Sequence, residues 1–421
     1  MRYLAVLDCN NFFVSCERLF RPDLRHRPVV VLSSNDGCVV ARSQEIKDKG
    51  IPMGVPYFQI KDTLKDIGAT YFSSNFTLYR DVSDRVFAVL ASLVSDLEIY
   101  SIDEAFFAIE ADSAVVAAAE AAAIKREVER RVGIPVSVGV ATSKTLAKLA
   151  NDVAKKERAS GVFVLESGDS VAVFGQRLLG EVWGVGTRLS RRYSEAGLVT
   201  IGDFVSAPRE RIQAIGGVVG TRTHAELSGQ VAYPLSLRRT LPKSITSSRS
   251  FGSKTNDRAL IHDALAYHVR SVAADLRRDG LVAGSLSVLL LTARHSDWVL
   301  RGGVTTMQLV VPTAETGVLL KEALRLADSL YELGVPYNKT GVVLGNLLPA
   351  VAVPASLFTP ATTAAEMGAL DRVIDGLNTR FGHGRVVLGK FTKTPAWQSR
   401  QETLSPAYTT NWQELPIVRT G

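Results

Sequence analysis

Three carboxylates in this chain stand where apolar, strand-like runs end. Asp8 closes the first apolar run of the chain, and Asp103 and Glu104 lie between the apolar runs 98–102 and 105–109. An acid at a strand end is most often simply solvated, but two adjacent acids in a tight hairpin repel each other unless a cation neutralises them. Carboxylate oxygens are ligands that Mg²⁺ and Mn²⁺ prefer. If the three carboxylates converge from adjacent strands, they could hold two metal ions for in-line phosphoryl displacement.

The segments around these acids alternate between strand and helix patterns. Strand-like runs fall at residues 3–8, 28–33, 98–102, 105–109 and 136–141, and helical periodicity at 114–131 and 144–156. This alternation is typical of an α/β or α+β domain. The stretch 21–75 is richer in turns, which indicates a small insertion into that domain.

Two further regions and a tail follow. Residues 178–230 have helical periodicity with glycine punctuation, which predicts a small helical domain. After a linker at 232–243, strand-like runs alternate again with helical stretches, which predicts a second α/β unit. Prolines recur after residue 348, so we expect a partly extended tail with one helix near 364–380.

Composition narrows the class of protein. The net charge is +7 over 421 residues, and residues 1–170 carry 21 Lys+Arg against 23 Asp+Glu, whereas residues 171–421 carry 28 against 19. A basic carboxy-terminal part suits a polyanion, although solvated surface charge is the simpler alternative. The three cysteines are too few and too clustered for a disulfide framework, which fits a reducing cytoplasm. We expect neither a signal peptide nor a membrane span.

Two acidic motifs taken together point to a known family. The segments DCNNFFVSCE at residues 8–17 and SIDEA at residues 101–105 resemble the acidic motifs of Y-family DNA polymerases. The resemblance narrows to the UmuC-like branch, which includes the catalytic subunit of bacterial DNA polymerase V. The segments that narrow it are RPDL at 21–24, NDGCV at 35–39, FSSN at 72–75 and LSPAYTT at 404–410.

The resemblance implies an α+β multidomain fold. This is a right-hand polymerase with a ferredoxin-like palm, small fingers, a helical helix-hairpin-helix thumb and an α/β little finger. The expected bounds are 1–22 and 76–170 for the palm, 23–75 for the fingers, 171–235 for the thumb, 243–349 for the little finger and 350–421 for the tail. The implied activity is template-directed, error-prone translesion synthesis in an SOS-type DNA damage response, by nucleotidyl transfer from a dNTP to a primer 3′-hydroxyl.

The resemblance also assigns the metal site. It implies that Asp8, Asp103 and Glu104 are catalytic ligands of two Mg²⁺ ions, which Mn²⁺ can replace, with help from the backbone carbonyl of Cys9.

Two aromatic residues and three cations correspond to nucleotide contacts of the family. Phe13 matches the steric gate that excludes a ribose 2′-hydroxyl, and Phe12 is its packing neighbour. The alternative is an aromatic pair that faces the core. The triphosphate contacts would be Arg42, Lys47 and Lys155. Lys47 stands where many relatives have arginine, and lysine cannot make a bidentate phosphate contact; solvated helix-face cations are the alternative.

DNA contacts are expected from the later regions. The glycine run before residue 188 resembles a helix-hairpin-helix, in which backbone N–H groups approach a phosphate, and residues 215–222 echo it. The expected contacts are Gly184, Gly186, Thr187, Arg188, Arg191, Arg192 and, in the little finger, Arg249. Leu357 and Phe358 stand where relatives carry a short clamp-binding peptide, but the expected glutamine is missing.

The resemblance further implies partners and a location. They are primer–template DNA, dNTPs, a UmuD′-type accessory dimer, a recombinase filament and a sliding clamp, in a bacterial cytoplasm near the nucleoid. Two alternatives stay open: another palm-domain nucleotidyl enzyme such as a nucleotide cyclase, and a catalytically silent DNA-binding scaffold. The helical region and the second α/β unit argue against the first, and the intact acids argue against the second.

Overall fold

The structure is a computed structural model that describes residues 1–237, 241–293, 302–352, 368–381, 384–387, 397 and 400–417. The chain divides into two compact units. The first contains residues 1–33, 37–239 and 403–421, and the second contains 34–36 and 240–402. The segment expected as a single tail, 350–421, is thus divided between both units.

Eight strands of the first unit form two sheets. They are β1 (Arg2–Cys9), β2 (Val29–Leu32), β3 (Val39–Arg42), β4 (Thr70–Ser73), β5 (Leu97–Ile99), β6 (Glu104–Glu110), β7 (Val136–Ala141) and β8 (Val162–Val164). The larger sheet has the order β5-β6-β1-β7-β8, and the smaller one has the order β3-β2-β4. Because β1 pairs with β6 on one side and β7 on the other, it is central and reads as a continuous apolar run.

The described part of the first unit contains ten α-helices. They are α1 (Phe12–Phe20), α2 (Gln44–Asp48), α3 (Tyr57–Asp66), α4 (Phe76–Ala91), α5 (Ala114–Val132), α6 (Lys144–Glu157), α7 (Ser170–Phe174), α8 (Thr187–Glu195), α9 (Ile201–Ser206) and α10 (Arg209–Leu227). Serine side chains cap two of them: Ser113 accepts from the N–H of Val116, and Ser143 accepts from the N–H of Leu146.

The side-chain alternation of β1 assigns its two faces to different cores. Ala5 and Leu7 belong to the core that also contains residues of α1, α4 and α5. Val6 belongs to the opposite core, together with residues of α6 and α8–α10. Since residues two apart on a strand share a face, Asp8 lies on the α6 side of the sheet.

Glycine lets α6 approach the sheet closely. A Cβ atom at Gly139 of β7 would lie 2.1 Å from the backbone nitrogen of Asn151 and 2.3 Å from the carbonyl oxygen of Ala147. Both contacts are far shorter than van der Waals distance, so a larger residue would push the helix away. This close packing sets how far the α6 side chains reach along the strand ends.

The helical segment after residue 178 contains one departure from expectation. Residues 215–222 do not repeat the glycine turn before α8, since they lie inside α10, which is kinked at Gly217. Their glycines serve packing: Cβ atoms at Gly216 and Gly220 would lie 1.9 and 2.3 Å from the hydroxyl oxygen of Tyr193 on α8. The buried Tyr193 ring therefore fixes α8 against α10.

The second unit is a four-stranded antiparallel sheet with helices. Its elements are β9 (Ser244–Thr255), α11 (Arg258–Arg278), β10 (Leu281–Thr292), β11 (Gly302–Thr313), α12 (Thr316–Leu330), β12 (Tyr337–Pro349) and α13 (Ala369–Phe381). The strand order is β11-β10-β12-β9. Its core combines residues of α11, α12 and the strands, so strands and helices alternate as the sequence pattern predicts. Because all three strand pairings are antiparallel, however, the unit is α+β and not the α/β unit expected from sequence. Among the described residues, no helix is long and apolar enough to cross a membrane.

Candidate active site

Two of the three acids face each other across neighbouring strands. The register of β1 and β6 places Asp8 directly opposite Glu104, which brings their side chains together on one face of the sheet. Burial raises the pKa of Asp8 to about 7; the charge and hydrogen bond of Lys155 lower it in part, and the charge of Glu104 raises it. A nearby cation strongly favours the ionised form of a carboxylate that is buried in this way.

The side chain of the third acid, Asp103, accepts a hydrogen bond from a neighbouring residue. The Ser101 hydroxyl donates to Oδ1 of Asp103 at 2.6 Å, and the backbone N–H of Cys9 donates to the Asp103 carbonyl oxygen at 2.9 Å. The acidic turn is thus fixed to the end of β1. Within the described ranges, no three Asp, Glu, His or Cys side chains are grouped closely enough to hold a metal ion.

Lysines of α6 form ion pairs with Asp8, Glu104 and the nearby Glu98. Lys155 forms an ion pair with Asp8. Lys148 lies 2.7 Å from Glu104, and Lys144 lies 2.5 Å from Glu98. Of these three lysines, the sequence predicts only Lys155 as part of the site. Spacings of four and seven residues place these lysines on one helix face, so their periodicity was a usable signal.

Aromatic rings surround one of these lysines. The Lys148 ammonium lies 4.9 Å from the ring centre of Tyr100 and 5.8 Å from that of Trp183. The Trp183 indole also donates to the Tyr100 hydroxyl at 3.0 Å. A cleft of about 470 Å³ lies against these groups and is lined by Asp8, Glu104, Lys148, Asp152, Lys155 and Trp183. Its walls combine acids and cations, as binding a charged ligand with metal ions requires.

The two aromatic residues after Asp8 have different environments. Phe12 is buried in the core, whereas Phe13 is half-buried. The Phe13 ring stacks on Tyr79 with centroids 4.5 Å apart and meets Phe76 edge-on at 5.8 Å. Phe13 is therefore the member of the pair that keeps an accessible surface.

The remaining cations expected at the triphosphate lie electrostatically close to the acids. Burial lowers the pKa of Lys47, and the positive charges of Arg42 and Lys155 lower it further, while Asp8 raises it. Arg42 donates a hydrogen bond to the Ile51 carbonyl oxygen. All three predicted cations thus belong to one electrostatic cluster with Asp8.

The residues of the first unit that are expected to contact DNA occupy exposed positions. Gly184 has φ = 86°, and Gly186 is the residue that precedes the first turn of α8. The following residues Thr187, Arg188, Arg191 and Arg192 are exposed, and Arg191 lies 3.4 Å from Glu195. In the second unit, the Arg249 guanidinium lies over the Tyr267 ring at 5.6 Å. Leu357 and Phe358 lie outside the described residues.

The fold is similar to that of a solved DNA polymerase structure. The chain matches the Y-family DNA polymerase chimera Dbh-Dpo4(243-245)-Dbh with a TM-score of 0.68 at 21% identity, over 82% of this chain and 99% of the other. The fold is therefore that of Y-family DNA polymerases, as the sequence predicted.

Three segments of the chain match known protein families. Residues 7–152 match the impB/mucB/samB family and residues 242–357 its C-terminal domain, while 368–418 match a domain of unknown function, DUF4113. Protein UmuC of Salmonella typhimurium is 35% identical, and Protein ImpB of the same species is 33% identical; each match covers 99% of this chain and 100% of the relative. The chain belongs to the impB/mucB/samB family, the UmuC-like branch of the Y-family DNA polymerases. It is a DNA-directed DNA polymerase of the translesion kind.

Proposed function

We propose that this polymerase binds two Mg²⁺ ions through Asp8, Asp103, Glu104 and the backbone carbonyl of Cys9, and that Mn²⁺ can replace them. Enzymes of this family use divalent metal ions. The observation that carries the proposal is the direct opposition of Asp8 and Glu104 on one sheet face, with lysine ammonium groups supplying the positive charge. Hard oxygen ligands of this kind suit Mg²⁺.

The residues present fit the metal in donor chemistry and electrostatics. Burial raises the pKa of Asp8 to about 7, so a cation beside it favours the ionised form. The Asp103 carboxylate would leave its hydrogen bond from the Ser101 hydroxyl and rotate toward Asp8 and Glu104 to join them at the metal. When bound, the metal ions lower the pKa of the primer 3′-hydroxyl and neutralise the triphosphate.

The cations of the site bind the triphosphate in this proposal. Lys155 exchanges its contact with Asp8 for a phosphate oxygen, while Arg42 approaches from β3 and Lys47 from α2. Phe13 excludes ribonucleotides by contact with the 2′-hydroxyl, and Phe12 supports it from the core. This discrimination is purely steric, because phenylalanine has no hydroxyl that could form a hydrogen bond with the sugar.

Primer–template DNA is the polyanion that the remaining residues bind. Backbone N–H groups near Gly184 and Gly186, the Thr187 hydroxyl, and the exposed arginines that follow are suited to phosphate contacts without base readout. Arg249 supplies a further cation in the second unit. By family resemblance we also propose a UmuD′-type dimer, a recombinase filament and a sliding clamp as partners, and a location in the bacterial cytoplasm near the nucleoid.

Primer extension with the full chain tests the metal assignment. The double variant Asp103→Ala/Glu104→Ala should lose extension with Mg²⁺ while keeping its affinity for primer–template DNA. The matched control is Glu110→Ala/Asp112→Ala, which removes the last residue of β6 and an acid just beyond the strand, and this variant should extend like the parent. Extension by the first variant at the parent's rate would refute the proposal.

A further inference from the structure

The carboxy-terminal segment returns to the first unit and extends its small sheet. Ser73 at the end of β4 donates its backbone N–H to the Thr403 carbonyl oxygen at 3.1 Å, and Ser73 forms a parallel bridge with Leu404. A few residues later, the buried Tyr408 ring stacks on Phe20 at the end of α1, with centroids 4.7 Å apart. The segment is thus docked at both ends by specific contacts.

Between these contacts the segment reaches a buried carboxylate. Glu17 of α1 is completely buried, and its Oε1 atom accepts hydrogen bonds from the Ser405 hydroxyl at 3.1 Å and the Tyr79 hydroxyl at 2.6 Å. Asn75 donates to the Ser405 hydroxyl oxygen at 3.0 Å and caps α4 through the N–H of Leu78. Ser405 is therefore held with its proton directed at Glu17.

The same tyrosine forms the wall behind the proposed sugar gate. Tyr79 presents one end to Glu17 and its ring face to Phe13, nearly parallel at 13°. A ring fixed at its hydroxyl cannot slide along its stacking partner. The position of the Phe13 ring consequently depends on a chain of contacts that runs through Tyr79 and Glu17 to Ser405.

We propose that the segment 403–408 is a positioning element for nucleotide sugar selection, and that the Ser405 hydroxyl acts through Glu17 and Tyr79 to hold Phe13. The inference rests on the proposed role of Phe13, and it gives a role to part of the carboxy-terminal region matched by the domain of unknown function. Ser405 does not touch substrate, so it is a positioning residue. Loss of its hydroxyl should loosen the gate while leaving the acids and lysines in place.

The test measures incorporation of CTP and dCTP opposite a template dG by the full chain, with kcat and KM determined for each. Ser405→Ala should raise the ratio of ribonucleotide to deoxyribonucleotide kcat/KM by about fivefold, the effect of losing one hydrogen bond. Ser405→Thr keeps the hydroxyl and should restore the parent ratio. Thr410→Ala removes an exposed hydroxyl two residues beyond the segment and should leave the ratio unchanged.

Phe13→Ala separates this inference from the proposed function. If Phe13→Ala raises the ratio but Ser405→Ala does not, the inference is overturned and the gate assignment stands. If Phe13→Ala leaves the ratio unchanged, the gate assignment fails and the inference with it. A fall of equal size for both sugars in Ser405→Ala would mark a merely structural role and overturn the inference. Should Ser405→Ala fold poorly, Tyr79→Phe, which keeps the ring and removes the hydroxyl, must show the same rise.

Discussion

Replacement of Glu17 by glutamine should change how stability depends on pH. Burial raises the pKa of the Glu17 carboxyl from 4.5 to about 7, although hydrogen bonds from Tyr79 and Ser405 lower it in part. Between these values the folded chain keeps a proton that the unfolded chain has released. The folded state therefore loses stability as the pH rises from about 4.5 to 7.

The expected size follows from the same values. A difference between 4.5 and about 7 corresponds to about 3 kcal/mol, at about 1.4 kcal/mol for each pKa unit. Glutamine stays neutral at every pH in this range and keeps an acceptor oxygen for both hydroxyls. The free energy of unfolding of the parent should thus fall by about 3 kcal/mol relative to Glu17→Gln between pH 4.5 and pH 8.

Urea unfolding at several pH values, followed by tryptophan fluorescence, measures this difference. Other ionisable groups contribute equally to parent and variant, so only the change in their difference is informative. Glu166→Gln, which alters an exposed glutamate, should follow the parent at every pH. Parallel curves for the parent and Glu17→Gln would refute the argument, because they would mean that Glu17 ionises alike in the folded and unfolded chains.

Three further predictions concern the site and its support. Phe13→Ala should raise ribonucleotide incorporation relative to deoxyribonucleotide incorporation. Phe12→Ala should leave this ratio unchanged and lower the stability by about 3–5 kcal/mol, because Phe12 is buried. A higher ratio in Phe12→Ala alone would mean that Phe12, and not Phe13, is the steric gate. The logarithm of DNA affinity should fall with the logarithm of salt concentration at about 0.9 per phosphate contacted. Arg188→Ala/Arg192→Ala should reduce that slope, and an unchanged slope would exclude these contacts. Gly139→Ala should displace α6, lowering both thermal stability and extension rate, while normal values for both would contradict the packing argument.

The elements around the acids could be predicted because their patterns are local. An apolar run that reaches Asp8 and a hairpin at Asp103 and Glu104 follow from sequence alone. The structure has both features with shifted bounds, since β1 continues to Cys9, β5 ends at Ile99 and Glu104 is the first residue of β6. The pairing of β1 with β6 could not be derived from these patterns, because strand order depends on packing across the whole domain. Lys148 is not among the predicted site residues for a different reason. Its spacing places it on the same helix face as Lys155, but Glu104 is predicted only as a metal ligand, so the sequence does not indicate their ion pair.

Contacts between distant parts of the chain mark the limit of sequence reasoning. Ser405 and Glu17 are 388 positions apart, and neither residue has a neighbour in sequence that indicates the other. The motif at residues 404–410 was recognised as a family feature without any structural role. The glycines at 215–220 were interpreted by analogy with the earlier glycine turn, whereas Gly216 and Gly220 make room for the Tyr193 hydroxyl.

Counting bound metal ions tests the central claim most directly. The sample is the full chain with primer–template DNA that ends in a 3′-dideoxynucleotide and the matching dNTP, titrated with Mn²⁺ and followed by electron paramagnetic resonance. The account predicts two ions per complex in the parent and the loss of at least one in Asp103→Ala/Glu104→Ala, with the nucleotide still bound. An equal number of ions in parent and variant would contradict the account, because the metal would then be held without these carboxylates.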